Sequence, residues 1–163
     1  MTGGNEGAID GGKFIGIEHE LVFEDAVVFG SGYLANIGII PLLAGKPDLV
    51  VIDEQTGPAV FWGRPDGTYS EAEPLGGSEA TPYAITVADV DRNGRPDVIV
   101  GYVESRPIVF FNDGADSFVG APFGDAEGTA YGFAVGDLDE DGFLDIAMAR
   151  SGARNMLYFG AAP

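Results

Sequence analysis

The chain has 163 residues, 45% of them apolar, with 26 glycines and 10 prolines; this argues against a disordered polymer and suits one domain of many short strands joined by tight turns. Its 26 acids against 8 Lys and Arg give a formal net charge of −18, which repels phosphate backbones and disfavours a nucleic-acid partner. With no cysteine there are no disulfides, thiolate metal sites or thiol nucleophiles, and no stretch approaches the roughly 20 apolar residues of a membrane helix, so membrane insertion is not expected.

Met1–Gly7 has no basic start and no apolar run, so no signal peptide is read there. Asn5 through Gly11-Gly-Lys-Phe14 is a glycine-rich turn followed by an aromatic, a strand signal that recurs further on. His19, between Glu18 and Glu20, is the only histidine. Strand alternation would put it on the opposite face from both acids, which favours a surface histidine over a ligand or a base. Lys46-Pro-Asp-Leu-Val-Val-Ile52 and Ala59-Val-Phe-Trp62 then read as two strands, followed by the turn-plus-aromatic Pro65-Asp-Gly-Thr-Tyr69. Next come four strands at about 83–88, 97–103, 107–112 and 117–122, with turns at Asn93-Gly94, Ser105-Arg106 and Asn112-Asp113-Gly114. No long stretch has helical spacing of apolar residues, so the fold is all-β.

Pro82–Val100 repeats in Ala130–Met148: Asp89 maps to Asp137 and Asp97 to Asp145, each 48 residues on. Ile108–Asn112 maps to Met156–Gly160 with the same offset. Residues 46–52 and 59–62 are a worn earlier copy, 49 residues before 95–101 and 108–111, in which Ile40, Leu42 and Ala44 stand where Asp89, Asp91 and Asn93 stand later. Three units follow, approximately 15–69, 70–118 and 119–163, with an N-terminal strand in 1–17 placed to complete the last sheet. Aligned with the repeat, Trp62, Phe110, Phe111, Tyr158 and Phe159 are expected to pack between sheets.

Asp89-Val-Asp91-Arg-Asn93-Gly94-Arg95-Pro-Asp97 and Asp137-Leu-Asp139-Glu-Asp141-Gly142-Phe143-Leu-Asp145 both fit D-x-D-x-[DN]-G-x-x-D. Calcium takes six to eight oxygens at about 2.3–2.6 Å, and alternate side chains at positions one, three and five of a tight loop can converge on one ion. Glycine at six permits the reversal, position seven can turn its carbonyl inward, and the position-nine carboxylate opens the next strand. Asp, Asn and Gly are also ordinary turn residues, so one such loop is consistent with a turn that binds nothing. Two in phase with a 48-residue repeat argue for metal, and all-oxygen ligands favour Ca²⁺ over Mg²⁺ or Mn²⁺. The third-unit loop is expected to be the tighter site: it offers four Asp with Glu140 nearby, against three Asp, the Asn93 amide and the adjacent cations Arg92 and Arg95 in the other.

Phe133-Ala-Val-Gly-Asp-Leu-Asp-Glu-Asp-Gly-Phe-Leu-Asp145 resembles an FG-GAP or VCBS-type repeat, as found in integrin α-subunit propellers and many bacterial surface proteins. The resemblance implies that each unit is a four-stranded antiparallel propeller blade with Ca²⁺ held between its first two strands, two sites in all. By position the ligands would be Asp89, Asp91, Asn93, the Arg95 carbonyl and Asp97, and Asp137, Asp139, Asp141, the Phe143 carbonyl and Asp145. It implies an extracellular or cell-surface setting and no catalysis. Closed propellers have four to eight blades, so three units are expected to complete a ring as a homodimer, the alternatives being a piece of a longer propeller or a compact three-bladed toroid. The function expected is a calcium-stiffened interaction module for a glycan or protein ligand; the alternative is a polysaccharide-acting enzyme or its accessory domain.

Overall fold

The computed structural model describes the backbone of residues 9–10, 13–15, 20–22 and 36–40, and the backbone and side chains of residues 47–114 and 117–161. Strands are the only regular structure among them, and no helix is long and apolar enough to cross a membrane. The chain divides into two compact units, Met1–Ser31 and Gly32–Pro163.

In the first unit β1 (Ile9–Asp10), β2 (Lys13–Ile15) and β3 (Glu20–Val22) form an antiparallel sheet in chain order. The strand signal read in 1–17 covers β1 and β2, and β2 pairs with β1 on one edge and β3 on the other.

The second unit holds three antiparallel meanders. The first comprises β4 (Asn36–Ile40), β5 (Asp48–Asp53), β6 (Gly57–Phe61) and β7 (Glu73–Pro74). The second comprises β8 (Pro82–Ala88), β9 (Asp97–Tyr102), β10 (Ile108–Asn112) and β11 (Phe118–Pro122), within a residue of the strands read from sequence. The third comprises β12 (Thr129–Gly136), β13 (Asp145–Ser151) and β14 (Met156–Tyr158). In the first sheet Tyr69 makes only an isolated bridge to Gly63, and the fourth strand resumes at Glu73. At Ser70 one ladder bond is kept and one replaced: its N–H donates to the Trp62 carbonyl at 2.9 Å, while its hydroxyl accepts the Trp62 N–H.

β9 explains how the sheets stack. All six of its residues are buried, because alternate side chains enter two different cores. Val98, Val100 and Tyr102, with Ile108 and Phe110, pack against Val50, Ile52 and Val60 of the first sheet. Ile99 and Val109 pack against Ile146 of the third, with Phe111, Phe133 and Tyr158 around them. Gly101 lets the second and third sheets approach, since a Cβ there would lie 2.5 Å from the Ala130 Cβ. Four of the five aromatics expected between sheets lie there: Phe110, Phe111 and Tyr158, and Trp62, which stacks on Phe118 at 6.2 Å. Phe159 does not; it is 59% exposed, one residue past the end of β14, with no further sheet beyond it among the described residues.

Tyr102 is fully buried, burial pushes its hydroxyl up to about 12, and that hydroxyl has no hydrogen-bond partner. A buried unpartnered hydroxyl carries a desolvation cost that its ring does not. Tyr102→Phe should therefore be neutral or stabilising by about 1 kcal/mol in urea unfolding; a loss above that range would show that the hydroxyl is satisfied in solution.

Candidate metal centres

Each loop begins where the first strand of its sheet ends and closes where the second begins. Gly94 and Gly142 reverse the chain at φ 85° and 94°, conformations closed to most side chains. The residues at position four, Arg92 and Glu140, also adopt left-handed backbone, at φ 58° and 62°. Neither is a residue type enriched there, so sequence offered no cue for this feature; repetition at one loop position marks it as part of the loop's design.

The internal bonding is the same in both loops. The position-nine carboxylate accepts the N–H of position two, Val90 to Asp97 at 2.8 Å and Leu138 to Asp145 at 2.6 Å. Position one accepts the glycine N–H, Gly94 to Asp89 at 2.9 Å and Gly142 to Asp137 at 3.1 Å. Position five accepts the N–H of position seven, Arg95 to Asn93 and Phe143 to Asp141, each at 2.8 Å. These bonds fold each loop so that carboxylate oxygens of positions one, three and nine converge. Asp89, Asp91 and Asp97 bring one oxygen each within 4.8 Å of one another, as do Asp137, Asp139 and Asp145.

A cation fits this arrangement. Asp89 Oδ1 is buried without a hydrogen-bond partner while its Oδ2 takes the Gly94 N–H, so an acceptor is left for something the chain does not supply. Three clustered carboxylates also repel one another unless a positive charge sits among them. The donors are oxygen only, which suits a hard divalent ion. Among the expected ligands, Asn93 touches its triad through Nδ2, which donates to Asp91 Oδ2 at 2.8 Å, while its Oδ1 accepts the Arg95 N–H; Asp141 is outside its triad and accepts the Phe143 N–H. His19 lies outside the described residues.

Burial pushes the Asp97 carboxyl up, against the opposing pull of the Asn112 and Val90 N–H groups. Asp145 moves the other way, held down chiefly by the Leu138 N–H. The difference follows from packing: β9 is wedged between two sheets, whereas β13 has a sheet on one side only among the described residues.

Position nine does a second job that sequence reasoning missed. Asp97 Oδ1 accepts the N–H of Asn112 at 2.9 Å, and Asp145 Oδ1 that of Gly160 at 2.8 Å, joining the start of the second strand to the end of the third. Asp48, in the unit without an acidic loop, accepts the Gly63 N–H at 2.7 Å in the same way. All three aspartates are buried, at 1% exposure or less. The survival of Asp48 in the worn copy was the available signal.

The charges around the loops differ from expectation. Arg95 turns to the Asn112 carbonyl, its Nε at 2.9 Å. Arg92 reaches out of its own loop and places Nη2 3.9 Å from Oδ2 of Asp137 in the other. Arg95 thus bonds within its own sheet, whereas Arg92 reaches the neighbouring loop.

Away from the loops, Tyr83 and Tyr131 occupy the same repeat position, and both are at β-bulges, between Pro82 and Ala84 and between Ala130 and Gly132. A bulge re-aims the side chain it carries. Here both rings point outward, 37% and 54% exposed, with centroids 4.6 Å apart.

The chain matches the family model described as FG-GAP-like repeat over residues 44–100 and 89–148. It belongs to that family. Short stretches are also similar to 8-amino-7-oxononanoate synthases: 58% identical over 40 residues to that of Beijerinckia indica, covering 24% of this chain and 10% of the enzyme. The Methylobacterium radiotolerans enzyme is 71% identical over 31 residues (19% and 8%), and that of Methylobacterium sp. strain 4-46 is 47% identical over 60 (37% and 14%). The chain spans about a tenth of the length of these curated relatives.

Because Asp48 staples strands in a unit with no acidic loop, Asp48→Ala should destabilise the metal-free protein by about 1–3 kcal/mol, the cost of an unpaired buried donor. The exposed loop residue in Asp91→Ala should cost under about 0.5 kcal/mol in chelator. Equal losses in urea unfolding would refute the division of labour.

Proposed function

We propose that this chain is a calcium-binding, non-catalytic propeller module that presents a surface to a glycan or protein partner, at the cell surface or outside the cell. The observation that carries the reading is the pair of acidic triads in phase with the repeat, one of them holding a buried unpartnered carboxylate oxygen. Positions five and seven, Asn93 and the Arg95 carbonyl, Asp141 and the Phe143 carbonyl, would join the triads once an ion draws them in. Consecutive meanders stacked in chain order around shared cores support blades of a propeller. The synthase likeness covers too little of those enzymes to carry an activity here.

Calcium would act by fastening each loop to the strand that Asp97 or Asp145 opens. A ligand that binds only the folded state stabilises it by about 2.7 kcal/mol at one hundred times Kd. Thermal melts should therefore rise with CaCl₂ and fall in excess chelator, with MgCl₂ restoring less because it demands a tighter octahedral shell. A melt indifferent to all three would end the calcium reading.

The partner surface is assigned to the bulged tyrosines, whose exposed rings offer faces for stacking on a sugar or an apolar side chain. Tyr83→Ala with Tyr131→Ala should abolish binding on a glycan array or in a partner pull-down while leaving the calcium-dependent melt in place. Retained binding would move the contact surface elsewhere.

A homodimer would complete the ring. The outer face of the third sheet supports this: Leu157 and Phe159, 52% and 59% exposed, occupy the repeat positions of Val109 and Phe111, which the second sheet packs against the third. Light scattering at micromolar protein is expected to give twice the chain mass; a single-chain mass with an intact fold would exclude it.

A further inference from the structure

We infer that Arg92, carried by the second-unit loop, sets the calcium affinity of the third-unit loop by holding a positive charge against its first ligand. This rests on the calcium reading and goes beyond it, since the family's metal-loop pattern gives position four no role.

Arg92 sits between Asp91, a member of its own triad, and Asn93, and its left-handed backbone at φ 58° turns it out of that loop. Its guanidinium ends 3.9 Å from Asp137 Oδ2, the oxygen that also accepts the Gly142 N–H. The guanidinium lies beside the third-unit loop itself: a Cβ on Gly142 would be 4.0 Å from Arg92 Nη1. The third-unit loop supplies no cation of its own; its position four is Glu140.

A fixed cation beside a carboxylate triad has two effects of the same sign. In the metal-free loop it relieves part of the repulsion among Asp137, Asp139 and Asp145, which lowers the free energy of the empty site. When a divalent ion enters, the two positive charges lie within a few ångströms and repel each other. Both effects weaken binding. The guanidinium is half exposed, at 49%, so water screens the interaction and the effect should be modest and salt-sensitive. Replacement of the charge should tighten the third-unit loop about three- to tenfold at low salt and less at high salt. Because Arg92 belongs to one loop and acts on the other, the geometry also couples the two sites.

The test separates the loops by their glycines. Gly94 and Gly142 each donate to the first ligand of one triad, so their amide signals in ¹⁵N-glycine-labelled protein report the two sites independently during a CaCl₂ titration. The expected result is a Gly142 midpoint lowered about three- to tenfold in Arg92→Gln, lowered further in Arg92→Glu, and retained in Arg92→Lys. The Gly94 midpoint should stay within about twofold throughout, since Arg92 points away from that loop. An unmoved Gly142 midpoint, an equal shift at both glycines, or a Lys variant that behaves like Gln overturns the inference. If neither amide titrates in the unmodified protein, the calcium reading itself falls and takes this inference with it.

Discussion

The fold turns on one buried contact repeated three times: an aspartate that opens the second strand of a sheet and accepts a backbone N–H from the end of the third. Asp48 with Gly63, Asp97 with Asn112 and Asp145 with Gly160 are the three copies. A carboxylate buried to 1% exposure or less would be costly without such donors. Hydrogen bonds to a charged group contribute more than those between neutral groups, and this one fixes two strands where they leave the ladder. In the second and third sheets the remaining oxygen accepts the position-two N–H of the acidic loop, so the same side chain sets the loop's conformation. Loop and sheet are thus one hydrogen-bonded system, and the worn unit shows the sheet half of it operating without the loop.

Much of this was legible in the sequence because it is periodic. The offset of 48 aligned apolar runs with apolar runs and acids with acids, so the three meanders of the second unit and the members of both triads followed from pattern, whereas the separate sheet β1–β3 did not. Features that the spacing of residue types does not encode were hidden. Arg92 reads as a loop cation acting on its own neighbours, and only its left-handed backbone sends it to Asp137. Tyr83 and Tyr131 read as strand residues of a β-rich chain, and alternation alone does not reveal a bulge that turns both outward. Phe159 was misjudged because the repeat position that buries Phe111 buries it against a following sheet.

The two loops are chemically close but mechanically unequal. β9 sends Val98 and Val100 into one core and Ile99 into the other, so displacement of Asp97 would disturb both. β13 is anchored in one core only, through Ile146. Asp97 and Asp145 are equally buried, yet burial dominates at Asp97 and pushes its carboxyl up, while the Leu138 N–H dominates at Asp145 and holds its carboxyl down. An ion bound by Asp97 would add to a strand already held on both faces, whereas one bound by Asp145 would hold a strand with fewer other restraints. Local opening draws on the least restrained elements first, so the stabilisation from metal should be felt most at the end of the stack, where packing contributes least. Arg92 reaches across at that point, putting a charge from the well-packed loop onto the loop that depends more on its ion.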